Sequence, residues 1–177
     1  MRRILFLSGR PGVGKTTVVK QIAAALGARA GGFYTQEIFG PGGRKGFQLI
    51  TLDGRQAALA HVEIRARSKV GRYGVDVAAF ERVGVAALRQ AIERAAIIVV
   101  DEIGKMELFS SQFKSALLKA LDSGKPLIAT VMSAPDPWVD ALKRMPGVQT
   151  LEVTKQNRGA MAARALKWVE SESESGS

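Results

Sequence analysis

The sequence predicts an α/β fold: a mostly parallel sheet with helices on both faces and an antiparallel hairpin inserted beside it. Three observations carry that expectation. Short continuous apolar runs, the mark of strands buried on both faces, alternate with segments of helical apolar spacing. A glycine-rich octapeptide, Gly9-Arg10-Pro11-Gly12-Val13-Gly14-Lys15-Thr16, joins the first apolar run to the first helical segment. Two β-like stretches, 46–52 and 55–59, are separated by Asp53-Gly54, which reads as a two-residue hairpin turn.

The elements follow in order. Residues 3–8 read as a buried strand, and Thr17 to Leu26 as the helix after the glycine-rich loop. Gly32 to Phe39 is expected to be a second strand, closed by the turn cluster at residues 40–43 and followed by the hairpin. Residues 61–75, rich in Arg and Gly, read as a loop. Helical spacing returns with Phe80, Val83, Leu88 and Ile92, and Ile97 to Val100 is a continuous apolar strand. A helix over Ser111 to Leu121 places Phe113, Leu117, Leu118 and Leu121 on one face. Strand 127–131, a short helix 138–143, strand 148–153 and a last helix ending near Val169 complete the alternation. One phosphate-loop domain over residues 1–169 is therefore expected, with the Glu/Ser tail 170–177 disordered.

The octapeptide matches G-x-x-x-x-G-K-[ST] and lies in the strand–turn–helix context that gives the pattern its meaning. Its glycines let backbone N–H groups turn inward round a phosphate, and the helix that follows presents its positive dipole end. Gly9 to Thr17 are thus candidates for binding a nucleotide's phosphates. Lys15 is placed to reach the β- and γ-phosphates, and the Thr16 hydroxyl to ligate Mg2+.

Ile97-Ile98-Val99-Val100 runs into Asp101-Glu102, an apolar strand ending in two acids. Asp101 is the candidate to support the magnesium ion beside Thr16. Glu102 is then the natural group to orient and deprotonate an attacking water. Lys105 is a candidate catalytic cation, with a solvated loop lysine as the alternative reading. Arg44, Arg72 and Arg158 are candidate internal arginine fingers, and no spacing rule chooses among them. With His61 the single histidine and no cysteine, histidine metal clusters, disulfides and thiolate sites are excluded, and no Ser-His triad is expected.

A net charge of +10 invites a nucleic-acid partner, but the basic residues are scattered and aromatics make up only 6% of the chain, so that partner is not favoured. No apolar run is long enough to span a bilayer. The opening Met-Arg-Arg and the strand that follows are too short for a signal peptide. A cytoplasmic location, which the absence of cysteine fits, is expected, and a monomer is favoured.

Residues 101–109, Asp-Glu-Ile-Gly-Lys-Met-Glu-Leu-Phe, resemble the signature of the cancer-related nucleoside-triphosphatase family, whose bacterial and archaeal members are the THEP-type NTPases. The resemblance covers residues 1 to about 170: Gly32 to Glu37, Gly46-Phe47, Val70 to Asp76 and Val153 to Arg158 match further family segments in order. It implies a RecA-like phosphate-loop fold and slow Mg2+-dependent hydrolysis of ATP, GTP and other triphosphates, with weak base discrimination. It gives Lys105 a catalytic weight, and makes Asn157 and Arg158 candidates for base or ribose contact, with a helix cap by Asn157 as the alternative. Gln36 stands where the family often has Glu, and Val131-Met132 where it often has Ile-Pro. Two other classes share the phosphate loop. A small-molecule or nucleoside kinase would use Arg65, Arg67 and Arg72 as a lid; a nucleic-acid-stimulated ATPase or switch would use the positive charge.

Overall fold

The structure, a computed structural model, describes residues 1–174. Its core is a parallel sheet whose strands alternate side chains between two helical layers. In β1 (Arg3–Ser8), Ile4 and Phe6 face one layer while Leu5 and Leu7 face the other. Both sets are fully buried, which is why the strand reads as an unbroken apolar run. Helices α1 (Lys15–Leu26) and α6 (Arg158–Glu174) pack on one face through Val18, Val19, Ile22, Met161 and Ala165. Helices α3 (Ala86–Arg94), α4 (Ser111–Leu121) and α5 (Pro137–Lys143) pack on the other through Leu88, Phe113, Leu117 and Leu142.

The remaining strands are β2 (Ala30–Gly40), β3 (Gly43–Thr51), β4 (Gln56–His61), β5 (Lys69–Val70), β6 (Tyr73–Val75), β7 (Ile97–Ile103), β8 (Pro126–Val131) and β9 (Val148–Glu152). Their order across one sheet is β5-β6-β4-β3-β2-β7-β8-β1-β9. From β2 to β9 neighbours are parallel, and from β2 outward to β5 they are antiparallel. Strand β2 serves both halves. Ala30 to Phe33 pair with β7, and Phe33 to Gly40 pair with β3, carrying an antiparallel wing past the carboxyl ends of the core strands. Gly32 makes the junction: its φ is +123°, and a Cβ there would collide with the Val99 carbonyl oxygen of β7. Phe33, Phe80 and Phe113 lock the wing's root to the helices, with ring centroids 5.3–6.3 Å apart.

Four expectations change. The 61–75 loop contains β5 and β6, which pair with each other, while β6 pairs in turn with β4, so these residues complete the wing. The hairpin turn is longer than two residues: Thr51 N–H donates to Arg55 O at 2.8 Å, enclosing Leu52, Asp53 and Gly54, with Gly54 at φ +94°. The helix before β7 starts earlier, with α2 (Val77–Ala79) capped by Asp76 and a π-helical stretch over Phe80–Val85 that moves the buried face from Val83 to Val85. Helix α6 continues to Glu174, so residues 170–174 of the Glu/Ser tail are helical, with Ser171 donating its hydroxyl to Trp168 O. Turns already paid for by packing of Met161, Ala165 and Val169 propagate into the polar segment. The rest of the tail lies outside the described residues.

Candidate active site

The glycine-rich loop leaves β1 and ends in the left-handed Gly14 (φ +106°), which is the N-cap of α1. That cap has no side chain to accept from the first N–H groups, so they stay available to an anion. Lys15 opens the helix and folds back over the loop. It is only 8% exposed, donates to Gly9 O at 2.8 Å and Val131 O at 3.4 Å, and lies 3.3 Å from Glu102 Oε2.

Asp101 and Glu102 lie near the carboxyl end of β7, where the ladder to β8 skips between Val100 and Ile103. Asp101 is 1% exposed and fully engaged. Its Oδ2 accepts from the Thr16 hydroxyl at 2.9 Å and from Thr35 N–H at 3.3 Å, and its Oδ1 from the Thr130 hydroxyl at 2.6 Å. Burial pushes its pKa up, and the bonds from Thr130, Thr35 and Thr16 oppose that shift. Glu102 turns the other way, towards Lys15 and the open cavity. The two acids, adjacent in sequence, therefore serve different ends of the loop.

The donors suit magnesium, a hard ion that prefers oxygen. With its one proton directed at Asp101, the Thr16 hydroxyl keeps its lone pairs for a metal. No cluster of three or more acidic, histidine or cysteine side chains exists among the described residues to hold an ion unaided. Phosphate oxygens and water would complete the shell.

Thr130 and Glu107 join the site without having been singled out from the sequence. Thr130 is the one polar residue in β8, Pro-Leu-Ile-Ala-Thr-Val, and that interruption of an apolar strand is a readable signal. Glu107 is 4% exposed and lies in a short 3-10 turn (Glu107–Phe109). A Cβ on Gly104 would meet Glu102 Oε1 and, at 3.2 Å, Glu107 Oε2, so both carboxyls close over the same glycine. Burial and then the Glu102 charge push Glu107's pKa well above the usual carboxylate range.

Pro11, Gly12 and residues 14–17 of the loop join Glu102, Lys105 and the wing around a cavity of about 740 Å³. Lys105 is exposed and lines it. Arg10 is exposed outside it. Arg158 packs on the loop's outer side, donating to Val13 O at 3.3 Å with its Cδ against Gly14. Asn157 is not brought to the cavity. Its Oδ1 accepts from Thr154 N–H at 2.8 Å and its Nδ2 donates to Glu152 O at 2.8 Å, so its amide fixes the β9–α6 turn. Among the finger candidates Arg44 lines the cavity, and Arg72 bonds to the Arg44 carbonyl and the Tyr73 hydroxyl.

A family model described as NTPase matches residues 4–166. The chain belongs to this family, the THEP-type nucleoside triphosphatases. Among curated members of the family, the nucleoside-triphosphatase THEP1 of Thermotoga petrophila is 42% identical over 92% of this chain and 90% of its own. The crystal structure of THEP1 from Aquifex aeolicus superposes with a TM-score of 0.88 at 36% identity, covering 94% and 99% of the two chains. The solution structure of a human cancer-related nucleoside triphosphatase gives 0.82 at 34% identity, covering 96% and 98%. Membership places the chain among hydrolases of nucleoside triphosphates and confirms the phosphate-loop α/β fold. No helix among the described residues is long and apolar enough to cross a membrane.

Proposed function

We propose that the protein hydrolyses ATP, GTP and other nucleoside triphosphates to the diphosphate and phosphate, slowly, with Mg2+ and little base discrimination. The observation that carries this reading is the division between the two acids. Thr16 meets Asp101 at 2.9 Å, whereas Lys15 meets Glu102 at 3.3 Å. Thr16 and Asp101 would hold a magnesium ion, which would supply positive charge against the phosphates.

The chain's own groups then have separable tasks. The loop N–H groups and Lys15 bind the phosphates, with Lys15 exchanging Glu102 for a phosphoryl oxygen. Released from that ion pair, Glu102 accepts the proton of a water that attacks the γ-phosphorus while the bond to the β–γ bridging oxygen breaks. Asp101, saturated by Thr16, Thr35 and Thr130, stays fixed throughout. Lys105, on the cavity lining, is a further candidate to balance charge on the transferring group.

Two features support the slow and broad character. Arg44, the arginine lining the cavity, is bound to Glu37 at 2.9 Å and to the Tyr73 hydroxyl at 3.0 Å, which withholds it from a finger role. Asn157, with its amide engaged in the turn and outside the cavity lining, is not placed to read a base edge. Phosphate release from ATP, GTP, CTP and UTP, with magnesium and then with EDTA, tests the proposal. Release from all four, at rates within roughly tenfold and lost in EDTA, is expected. Release from a single base, or full release in EDTA, would overturn it.

A further inference from the structure

The exchange of Lys15 from Glu102 to a phosphoryl oxygen takes away the contact that holds the base. Among the described residues, Lys15 is the ion-pair partner of Glu102, 3.3 Å from its Oε2. A carboxylate on a flexible stem that loses its partner samples several rotamers, yet a base must stay within hydrogen-bond reach of one water. A second group must fix Glu102 during the chemical step.

The other carboxylate oxygen points to that group. Glu102 Oε1 lies against the bare face of Gly104, and Glu107 Oε2 lies 3.2 Å from where a Cβ on that glycine would be. The absence of a side chain at Gly104 thus lets the two carboxyl groups close on each other. Glu107 is held firmly at its root. It opens the short turn Glu107–Phe109, where Leu108 N–H donates to Gly104 O at 3.0 Å and Ser110 N–H donates to Glu107 O at 3.1 Å. Its side chain reaches the cavity lining although the residue is only 4% exposed.

No lysine, arginine or histidine pairs with Glu107 among the described residues. A carboxylate buried without a cation and beside a second carboxylate is strongly disfavoured against the neutral acid. Burial is the largest influence on Glu107 and the Glu102 charge the next, and both favour the proton; the N–H groups of Glu107 and Gly104 pull the other way. Lys15 favours the charged form of Glu102, so of the two acids Glu107 is the one that carries the proton. Glu107 therefore brings a donor to the place where Glu102 has an acceptor oxygen free.

We propose that Glu107 is a positioning residue: as the neutral acid it donates a hydrogen bond to Glu102 Oε1 and keeps Glu102 aimed at the attacking water once Lys15 has moved to the phosphate. The proposal rests on the reading of Glu102 as the base. With Oε1 held, Oε2 takes the proton from water as the water oxygen bonds to the γ-phosphorus and the bond to the β–γ bridging oxygen breaks. The diphosphate leaves with that oxygen, and the proton on Glu102 passes to solvent. Glu107 keeps its own proton throughout.

The test measures kcat and KM for phosphate release from ATP with magnesium in Glu107→Gln, Glu107→Met and Glu102→Gln. Glu107→Gln keeps both functions of the neutral acid, an acceptor oxygen for the backbone and a donor for Glu102, so kcat should stay within about threefold of the parent. Glu107→Met fills a similar volume without a donor; kcat should fall roughly 10- to 100-fold while KM stays within about twofold. Glu107→Met added to Glu102→Gln should cost little more, because the group it positions is already disabled. Melting curves verify folding, and Glu107→Leu repeats the test with a second apolar side chain. Parent-level kcat in the well-folded apolar variants, beside a slow Glu102→Gln, would overturn the positioning role alone. Parent-level turnover in Glu102→Gln would overturn the base reading and this proposal with it. Equal losses in Glu107→Gln and Glu107→Met would show that residue 107 supplies charge rather than a hydrogen bond, and would also overturn it.

Discussion

At Gly104 two carboxyl groups close over one backbone position, and their environments set them apart. Glu102 is 30% exposed and faces Lys15, whereas Glu107 is buried beneath it. A carboxyl with a raised folded pKa keeps its proton to higher pH than in the unfolded chain. Its stability contribution is complete at acid pH and is lost as pH rises from the ordinary carboxylate value through the folded one. Glu107→Gln, which keeps an acceptor oxygen without the charge, should therefore raise the melting temperature at pH 8 by a few degrees, about 1–2 kcal/mol, and by progressively less towards pH 4. An equal gain at both pH values would show that Glu107 is not ionising in the fold. Lys15→Ala should weaken triphosphate binding and turnover together, because the lysine reaches phosphate in both the ground and transition states; titration with a non-hydrolysable triphosphate measures the first. At this scale the sequence was most informative where chemistry demands a motif. Residues 9–16 and 101–102 were legible because each residue type has a task at its spacing. Glu107 was not, because only the folded backbone brings it to Glu102, and the polar interruption at Thr130 marks an exception in β8 without naming Asp101 as its partner.

Among the elements, parallel strands and long helices were readable for the same physical reason: their apolar pattern reports burial on both faces or on one. The wing was read only in part. Strands β5 and β6 are two and three residues long, too short for a period to show, and the π-helical stretch breaks the 3.6-residue repeat inside a helix. Helix α4 is capped by Ser110, whose hydroxyl oxygen accepts from Phe113 N–H at 3.0 Å. Ser110→Ala should destabilise the protein by about 1 kcal/mol, or 2–4 °C. Gly32→Ala is a harsher test, since it forces a side chain into a left-handed position against the Val99 carbonyl. A loss of about 2 kcal/mol or more is expected in thermal melts, with the wing displaced from β7. A variant as stable as the parent would contradict the account of how β2 changes partners.

Over the whole molecule, one sheet joins a parallel core that holds phosphate to an antiparallel wing that encloses the space beyond it. The +10 charge is a molecular property rather than a local one, because the cations are dispersed over the surface and several are paired within the fold. RNA or DNA added at low salt should leave phosphate release unchanged; a stimulation that disappears as salt rises would reveal an electrostatic partner instead. The central claim is that the fold separates its two neighbouring acids, Asp101 to the metal side and Glu102 to the attacking water. The most direct measurement is phosphate release by Glu102→Gln, taken with its affinity for ATP. The account predicts turnover reduced by roughly 10²–10⁴ with ATP affinity retained. Parent-level turnover in that variant would remove Glu102 from the chemical step.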